Sequence, residues 1–244
     1  MARTEIASHR GGAFLWPENS LLAFRNALAL PAEQLELDVH LSADGAPVVM
    51  HDHTLDRTTD GTGPVRARSV AELRRVRLRG TGGEGVPPLA EAAALVRDAG
   101  KALRLEIKAD GEGRPYPGVV AACLSVLDGL AMRGRTVVMS FQPATVAEAA
   151  AAGGFRRTVL LLESRPWRGM GAANAAGLAR ACGADEIGLP VGELTPAAVA
   201  SLRAAGFGVG AWGANHERSI RAGFELGLDA IATDDPPLAL RLRT

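Results

Sequence analysis

The sequence has no excess of charge, few aromatic residues and only two cysteines. Its 244 residues include 27 Lys and Arg against 27 Asp and Glu, and aromatic residues make up 4%. A neutral chain lacks the cationic surface that drives binding to nucleic acid or to anionic membranes, so we expect neither as a partner. Apolar residues make up 47% of the chain, which excludes an intrinsically disordered protein.

Long hydrophobic runs and a cysteine framework are also missing. No segment approaches the roughly eighteen apolar residues that a helix needs to cross a bilayer. The first residues carry charges, so we expect no secretory signal among them. Cys123 and Cys182 lie far apart in apolar surroundings, so we expect reduced core thiols in a reducing compartment. We therefore predict a cytoplasmic protein without stable membrane association.

Short apolar segments alternate with longer amphipathic segments along the whole chain. We predict nine strands, at 5–8, 35–41, 48–51, 102–107, 136–141, 158–162, 186–189, 208–212 and 230–233. We predict eight helices, at 19–30, 89–99, 118–132, 144–152, 170–182, 197–205, 217–226 and 237–242. Counting 48–51 as a short addition to the strand before it leaves eight strand–helix units, an order that favours parallel strands. We predict a single α/β domain over 1–244, built as a closed (β/α)8 TIM barrel.

The segment 53–87 is the longest part of the chain without a strand or helix pattern. It is rich in Gly, Thr and Arg, and we predict a small insertion after the second strand, above the mouth of the barrel. Within it, Ser69 and Glu72 have the spacing of a capping box. Elsewhere, Thr195, Asn215 and Asn19 are expected to cap helices.

The segment 35–41 carries the clearest chemical signal. Its residues alternate strictly, with apolar residues at odd positions and polar residues at even positions. Alternation in a strand places Glu36 and Asp38 on one face. The segment 103–108 repeats the pattern, with Arg104, Glu106 and Lys108 at alternate positions. Because helices cover the outside of a barrel, we expect these charged side chains to point into it.

Three carboxylates, those of Glu36, Asp38 and Glu106, are therefore expected to converge near the C-terminal ends of the strands. Their oxygen atoms suit Mg²⁺ or Ca²⁺ much better than Zn²⁺. The alternative is a buried ion network in which Glu36 and Asp38 pair with Arg104 and Lys108. Alternation alone does not decide between a metal site and this network.

Two histidines are expected beside these carboxylates. His9 ends the first predicted strand, and His51 ends the short β segment after the second. A single histidine at such a position is usually structural or solvated. Two histidines at the mouth of the barrel, next to a carboxylate cluster, instead suggest an acid–base pair, because histidine titrates near neutral pH.

Several motifs occur in an order that resembles the glycerophosphodiester phosphodiesterase family. They are HRGG at 9–12, PENS at 17–20, ELDV at 36–39, VVMHD at 48–52, LDRTTDGTG at 55–63, LEIK at 105–108, SF at 140–141, WGAN at 212–215 and GLDAIATD at 227–234. The resemblance covers essentially the whole chain. It implies a TIM barrel that hydrolyses glycerophosphodiesters to glycerol 3-phosphate and an alcohol, using a divalent metal ion that is usually Ca²⁺ or Mg²⁺.

The same resemblance implies a role for each candidate residue. Glu36, Asp38 and Glu106 match the metal ligands of the family.

The remaining site residues follow the same motifs. His9 and His51 match the acid–base histidines, and Arg10 and Lys108 match basic residues near the phosphate. Trp212 is expected to form an apolar wall for the substrate, with ordinary barrel packing as the alternative interpretation.

Two other functions remain open at this point. One is a lysophospholipase D or sphingomyelinase-D-like phosphodiesterase, although no amphipathic or aromatic–basic segment favours membrane docking. The other is a barrel that binds phosphodiesters without hydrolysing them, for which an acid–base pair has no use.

Overall fold

The computed structural model describes residues 3–243 as a closed barrel of eight parallel strands surrounded by helices. The strands are β1 (Glu5–Ser8), β2 (Gln34–Leu41), β3 (Pro47–Val49), β4 (Ala102–Ile107), β5 (Thr136–Ser140), β6 (Arg157–Leu161), β7 (Glu186–Pro190), β8 (Gly208–Trp212) and β9 (Ala230–Thr233). The helices are α1 (Leu21–Leu28), α2 (Val70–Leu73), α3 (Leu89–Asp98), α4 (Val119–Gly129), α5 (Pro143–Ala152), α6 (Ser164–Ala181), α7 (Pro196–Ala204), α8 (Glu217–Glu225) and α9 (Pro236–Leu242). None of these helices is long and apolar enough to cross a membrane.

The strand order confirms the predicted TIM barrel. Hydrogen-bonded neighbours run β1-β9-β8-β7-β6-β5-β4-β2, and pairing of β1 with β2 closes the ring. β3 is antiparallel to the end of β2 and lies outside the ring. Each helix returns the chain to the same end of the barrel, so all the C-terminal strand ends meet at one mouth.

Alternation along each strand separates the outside of the barrel from its inside. On β2, Leu35, Leu37 and Val39 are buried against the surrounding helices, which leaves Glu36 and Asp38 facing inward. The interior differs between its two sides. Next to the acidic side chains of β2 and β4, the inward positions of β5 and β6 form an apolar cluster of Val137, Met139, Val159 and Leu161.

The segment between β3 and α3 has a small core of its own. Apolar side chains from along this segment and β3 pack together, namely Val48, Met50, Leu55, Val65, Leu73, Val76, Leu78 and Val86. The predicted capping box is confirmed, since Ser69 and Glu72 bond reciprocally at the start of α2. Packing of this kind holds the segment in a defined conformation above the barrel.

Two predicted helix caps are wrong, and one helix begins earlier than predicted. Ser20 caps α1 and His216 caps α8, each one residue after the asparagine that was expected to do so. Thr195 caps α7 as predicted. The segment α6 begins at Ser164 and not near 170, and it is broken at Gly171, whose φ of 69° interrupts the helical backbone.

Candidate active site

The three predicted carboxylates converge inside the mouth of the barrel. β2 and β4 are adjacent and in register, with Asp38 opposite Glu106 and Glu36 opposite Arg104. One oxygen atom from each of Glu36, Asp38 and Glu106 lies within 4.8 Å of the others, and all three residues are buried. Adjacent parallel strands thus produce the cluster that alternation predicts.

The charge of Glu36 is poorly compensated. Its side chain is fully buried, Oε2 accepts a hydrogen bond from the Arg10 backbone N–H at 2.8 Å, and Oε1 is buried without a partner in residues 3–243. Burial, together with the nearby charge of Asp38, raises the pKa of Glu36 to about 7. Burial also raises the pKa of Glu106. A divalent cation would satisfy the orphaned oxygen and offset both shifts, so the three carboxylates fit such an ion.

Asp38 is the carboxylate with the most cationic neighbours. Lys108 Nζ lies 3.0 Å from Asp38 Oδ1 and 2.6 Å from Glu106 Oε1, and Arg10 Nε lies 3.5 Å from Asp38 Oδ2. Although burial would raise the pKa of Asp38, Lys108 and Arg10 hold it well below its usual range. The alternative ion network is therefore present in part. Arg104 does not join it, because its guanidinium pairs with Glu186 deeper in the barrel.

His9 follows β1 and is held by an acidic residue from the opposite end of the chain. Its Nδ1 lies 2.6 Å from Asp234 Oδ1, and since a carboxylate can only accept, Nδ1 donates. Asn215 holds Asp234 twice, donating from Nδ2 to Oδ2 at 2.5 Å and accepting from the Asp234 backbone N–H at 2.9 Å. Burial would lower the pKa of His9, but Glu36 and Asp234 raise it above its ordinary value.

An unusual backbone conformation brings Arg10 onto the carboxylates. Arg10 and Asn19 both have positive φ, 51° and 54°, in the left-handed region that residues other than glycine rarely adopt. The Asn19 backbone N–H donates to the Arg10 carbonyl, and Asn19 Nδ2 donates to Asp38 Oδ2 at 2.8 Å. Strain of this kind persists where surrounding contacts fix it, and it is concentrated at functional sites.

His51 follows β3 and is held by its neighbour in sequence. Its Nδ1 donates to Asp52 Oδ1 at 2.7 Å. His40 Nε2 donates to the His51 carbonyl at 3.0 Å, while His40 Nδ1 accepts from Tyr116, and burial lowers the pKa of His40 to about 4. Burial, with help from the charges of Lys108 and Arg10, also lowers the pKa of His51.

Both histidines open onto one cavity of about 540 Å³. The predicted site residues in its lining are His9, Arg10, Glu36, His51, Glu106, Lys108 and Trp212, with Asp38 directly beside them. Trp212 forms an edge-to-face pair with Phe141 at 6.0 Å between ring centroids, on the side that the apolar cluster occupies. The structure therefore brings all eight predicted residues together, with charged groups on one side of the cavity and apolar groups on the other.

A second cavity, of about 600 Å³, lies at the opposite end of the barrel. Arginine–carboxylate pairs line it, including Arg157 with Glu186 and with Asp229. It contains none of the predicted site residues and no pair of histidines, so the cavity at the mouth is the candidate active site.

Several residues of the site were missed or misread in the sequence. Asn19 and Asn215 were interpreted as helix caps, but their amides hold Asp38 and Asp234. Alternation along β9 could have identified Asp234, because it continues the inward positions of Ala230 and Ala232. The partners of Asn19 and Asn215 lie 19 residues away, beyond the reach of a local capping rule.

The chemistry of the site follows from these contacts. Each imidazole has Nδ1 engaged by a carboxylate, which fixes its orientation and leaves Nε2 to exchange a proton. Arg10 and Lys108 place positive charge beside the acidic cluster, in the cavity that both histidines line. Such a site suits a reaction in which an anionic group is neutralised while one proton is removed and another is delivered.

Comparison with known proteins gives a consistent answer. Residues 9–238 match the model of the glycerophosphoryl diester phosphodiesterase family. A glycerophosphodiester phosphodiesterase of Caldanaerobacter subterraneus is 27% identical, with 98% of each chain covered.

Solved structures agree with this match. A crystal structure of an Agrobacterium tumefaciens protein, assigned as a glycerophosphoryl diester phosphodiesterase, superposes with a TM-score of 0.95 at 33% identity, covering 99% of this chain and 98% of that one. An Oleispira antarctica phosphodiesterase, solved in complex with the product sn-glycerol-3-phosphate, superposes with a TM-score of 0.84 at 26% identity and covers 98% and 96% of the two chains. The chain described here belongs to the glycerophosphoryl diester phosphodiesterase family of enzymes.

Proposed function

We propose that the protein hydrolyses glycerophosphodiesters to sn-glycerol 3-phosphate and an alcohol, with a divalent metal ion and two histidines. The observation that carries the proposal is the single cavity in which two carboxylate-held imidazoles face three clustered carboxylates. A phosphodiester-binding protein without catalysis has no need of two oriented imidazoles. The relative from Oleispira antarctica, bound to sn-glycerol-3-phosphate, supports the same product.

Glu36, Asp38 and Glu106 would hold the metal ion, and their hard oxygen donors favour Ca²⁺ or Mg²⁺. Such an ion supplies positive charge to the phosphodiester oxygens when it is bound. Oε1 of Glu36 has no partner within residues 3–243, which supports this assignment, because a buried carboxylate oxygen without a partner destabilises a protein that holds no cation there.

The protein side chains carry the rest of the mechanism. Arg10 and Lys108 bind the anionic phosphate and stabilise the charge that develops on its oxygens. The Nε2 atom of one histidine removes a proton from the nucleophile. The other histidine protonates the departing alkoxide. Groups of this kind each contribute about 10²–10⁴-fold to the rate. Trp212 packs against the carbon atoms of the substrate on the apolar side.

The proposal is tested by incubating the purified protein with glycerophosphocholine and measuring release of glycerol 3-phosphate. We expect release with Ca²⁺ or Mg²⁺ and its loss on addition of EDTA. His9→Ala and His51→Ala should each lower kcat by about 10²-fold or more, with an unchanged circular dichroism spectrum. Activity that resists EDTA would refute the requirement for a metal ion. Near-normal turnover in either variant would refute the catalytic role of the histidine replaced in it. Faster turnover of lysophosphatidylcholine would favour the lysophospholipase D alternative.

We further propose that 1–244 forms a single domain that works in the cytoplasm. Support for a reducing compartment comes from Cys123 and Cys182, which are free and buried. Burial raises the pKa of the Cys123 thiol to about 12, so this thiol is unreactive at physiological pH.

A further inference from the structure

Arg57 lies in the segment between β3 and α3 and bridges two carboxylates. Its Nε and Nη2 donate to Asp52 Oδ2 and Oδ1 at 2.7 and 3.0 Å. Its Nη1 and Nη2 donate to Glu18 Oε2 and Oε1, both at 2.8 Å. One planar guanidinium thus holds two carboxylates that are far apart in sequence, each with two hydrogen bonds.

Each of these carboxylates also holds a residue of the candidate active site. Asp52 Oδ1 accepts from His51 Nδ1 at 2.7 Å, and Glu18 Oε1 accepts from Arg10 Nη1 at 3.1 Å. The segment after β1 and the segment after β3 are therefore joined through Arg57. Arg57 itself does not line the cavity.

We propose that Arg57 is a positioning residue, which fixes the carboxylates of Asp52 and Glu18 and through them the orientation of His51 and Arg10. This inference rests on the proposed phosphodiesterase function. It also gives the insertion at 53–87 a role in catalysis, since this insertion supplies the residue that links the segment after β1 to the segment after β3.

The physical reason is the partial exposure of the two carboxylates. The side chains of Asp52 and Glu18 are 27% and 16% exposed, so without Arg57 each carboxylate keeps only its hydrogen bond to His51 or Arg10 and can turn toward water. A guanidinium fixes both carboxylates because its five N–H donors have a rigid planar arrangement, which a lysine ammonium lacks. Exposed ion pairs add little to global stability, whereas a small displacement of a catalytic group costs about 10²-fold in rate.

The first experiment compares three variants in the glycerophosphocholine assay. Arg57→Ala should lower kcat by about 10²-fold, and Arg57→Lys should recover little of the loss. Arg74→Ala is the matched control. Arg74 is an exposed arginine of the same segment that pairs with Glu91, away from the cavity, and its replacement should leave kcat unchanged. Wild-type kcat in Arg57→Ala, or an equal loss in Arg74→Ala, would overturn the proposal.

A second measurement separates positioning from a general effect on folding. If Arg57 acts through Asp52, then Asp52→Asn should cost little further activity in the Arg57→Ala background. Methylguanidinium added to Arg57→Ala should restore part of kcat, because the Arg57 side chain is 48% exposed and its site is open to solvent. Additive losses, with no restoration by methylguanidinium, would show that Arg57 does not orient His51.

A third measurement does not depend on activity. In ¹⁵N-histidine NMR spectra, assigned with His51→Gln, the Nδ1 proton of His51 should exchange slowly in the wild type and faster in Arg57→Ala. An unchanged exchange rate would overturn the positioning role, whatever the protein hydrolyses. If exchange is faster in Arg57→Ala but the wild-type protein hydrolyses no phosphodiester, the proposed function is refuted and the positioning role is not.

Discussion

Replacing Glu36 by glutamine should change how the stability of the metal-free protein depends on pH. Glu36 is fully buried, and its pKa rises from 4.5 to about 7. A raised pKa in the folded state means that ionisation of Glu36 destabilises the fold. In EDTA, protonated Glu36 therefore stabilises the fold fully below the pKa that Glu36 has in the unfolded chain, near 4.5. This stabilisation is lost as the pH rises through the folded-state pKa of about 7.

The size of the effect follows from the shift. One pKa unit corresponds to about 1.4 kcal/mol, so a rise from 4.5 to about 7 amounts to about 3 kcal/mol of stability. Glutamine has nearly the same shape and still accepts the hydrogen bond from the Arg10 backbone N–H, but it carries no charge at any pH. Glu36→Gln should remove this part of the pH dependence and leave the part due to Glu106, whose pKa is also raised.

Urea denaturation in EDTA at pH 4.5 and pH 8 measures the effect. The free energy of unfolding of wild type, relative to Glu36→Gln, should fall by about 3 kcal/mol between these values. Added Ca²⁺ or Mg²⁺ should then stabilise the wild type at pH 8 much more than the variant. Wild type and Glu36→Gln could instead show parallel pH profiles of the free energy of unfolding and equal stabilisation by the metal. This result would refute both the destabilising charge of Glu36 and its role as a metal ligand.

Two further changes test the histidine support and the packing of the segment between β3 and α3. Asp234→Asn should lower kcat by about 10²-fold or more with little change in KM, because an amide no longer enforces the imidazole orientation; a wild-type kcat would contradict the role assigned to Asp234. Gly85→Ala should lower the free energy of unfolding by about 1–3 kcal/mol, since the new Cβ would lie 2.0 Å from a backbone carbonyl oxygen. Gly129→Ala, with open space around it, is the control in the same urea titration, and equal stability of the two variants would contradict the packing argument.

The barrel and the acidic cluster could be predicted because the signals for them are local. Strict alternation along β2 and β4 fixes which side chains face inward, whatever lies elsewhere in the chain. Parallel pairing then places Asp38 beside Glu106 without further information. The order of strands and helices likewise restricts the topology to a few choices, of which the closed barrel suits this length best.

The supporting hydrogen bonds could not be predicted in the same way. Asn19 and Asn215 each precede a helix, so a rule that considers only neighbouring residues interprets them as caps. The residues that follow them, Ser20 and His216, take that role, which frees both amides for carboxylates. The pairing of Arg104 with Glu186 could not be predicted either, because Glu186 lies 82 residues further along the chain.

The pairing of β1 with β9 has a consequence for the protein during its synthesis. His9 leaves the ribosome well before Asp234, which holds it and lies 225 positions further along the chain. The ring of strands also stays open until β9 joins β1. During synthesis, the barrel therefore cannot close, and His9 cannot gain its carboxylate partner, until β9 and Asp234 have left the ribosome.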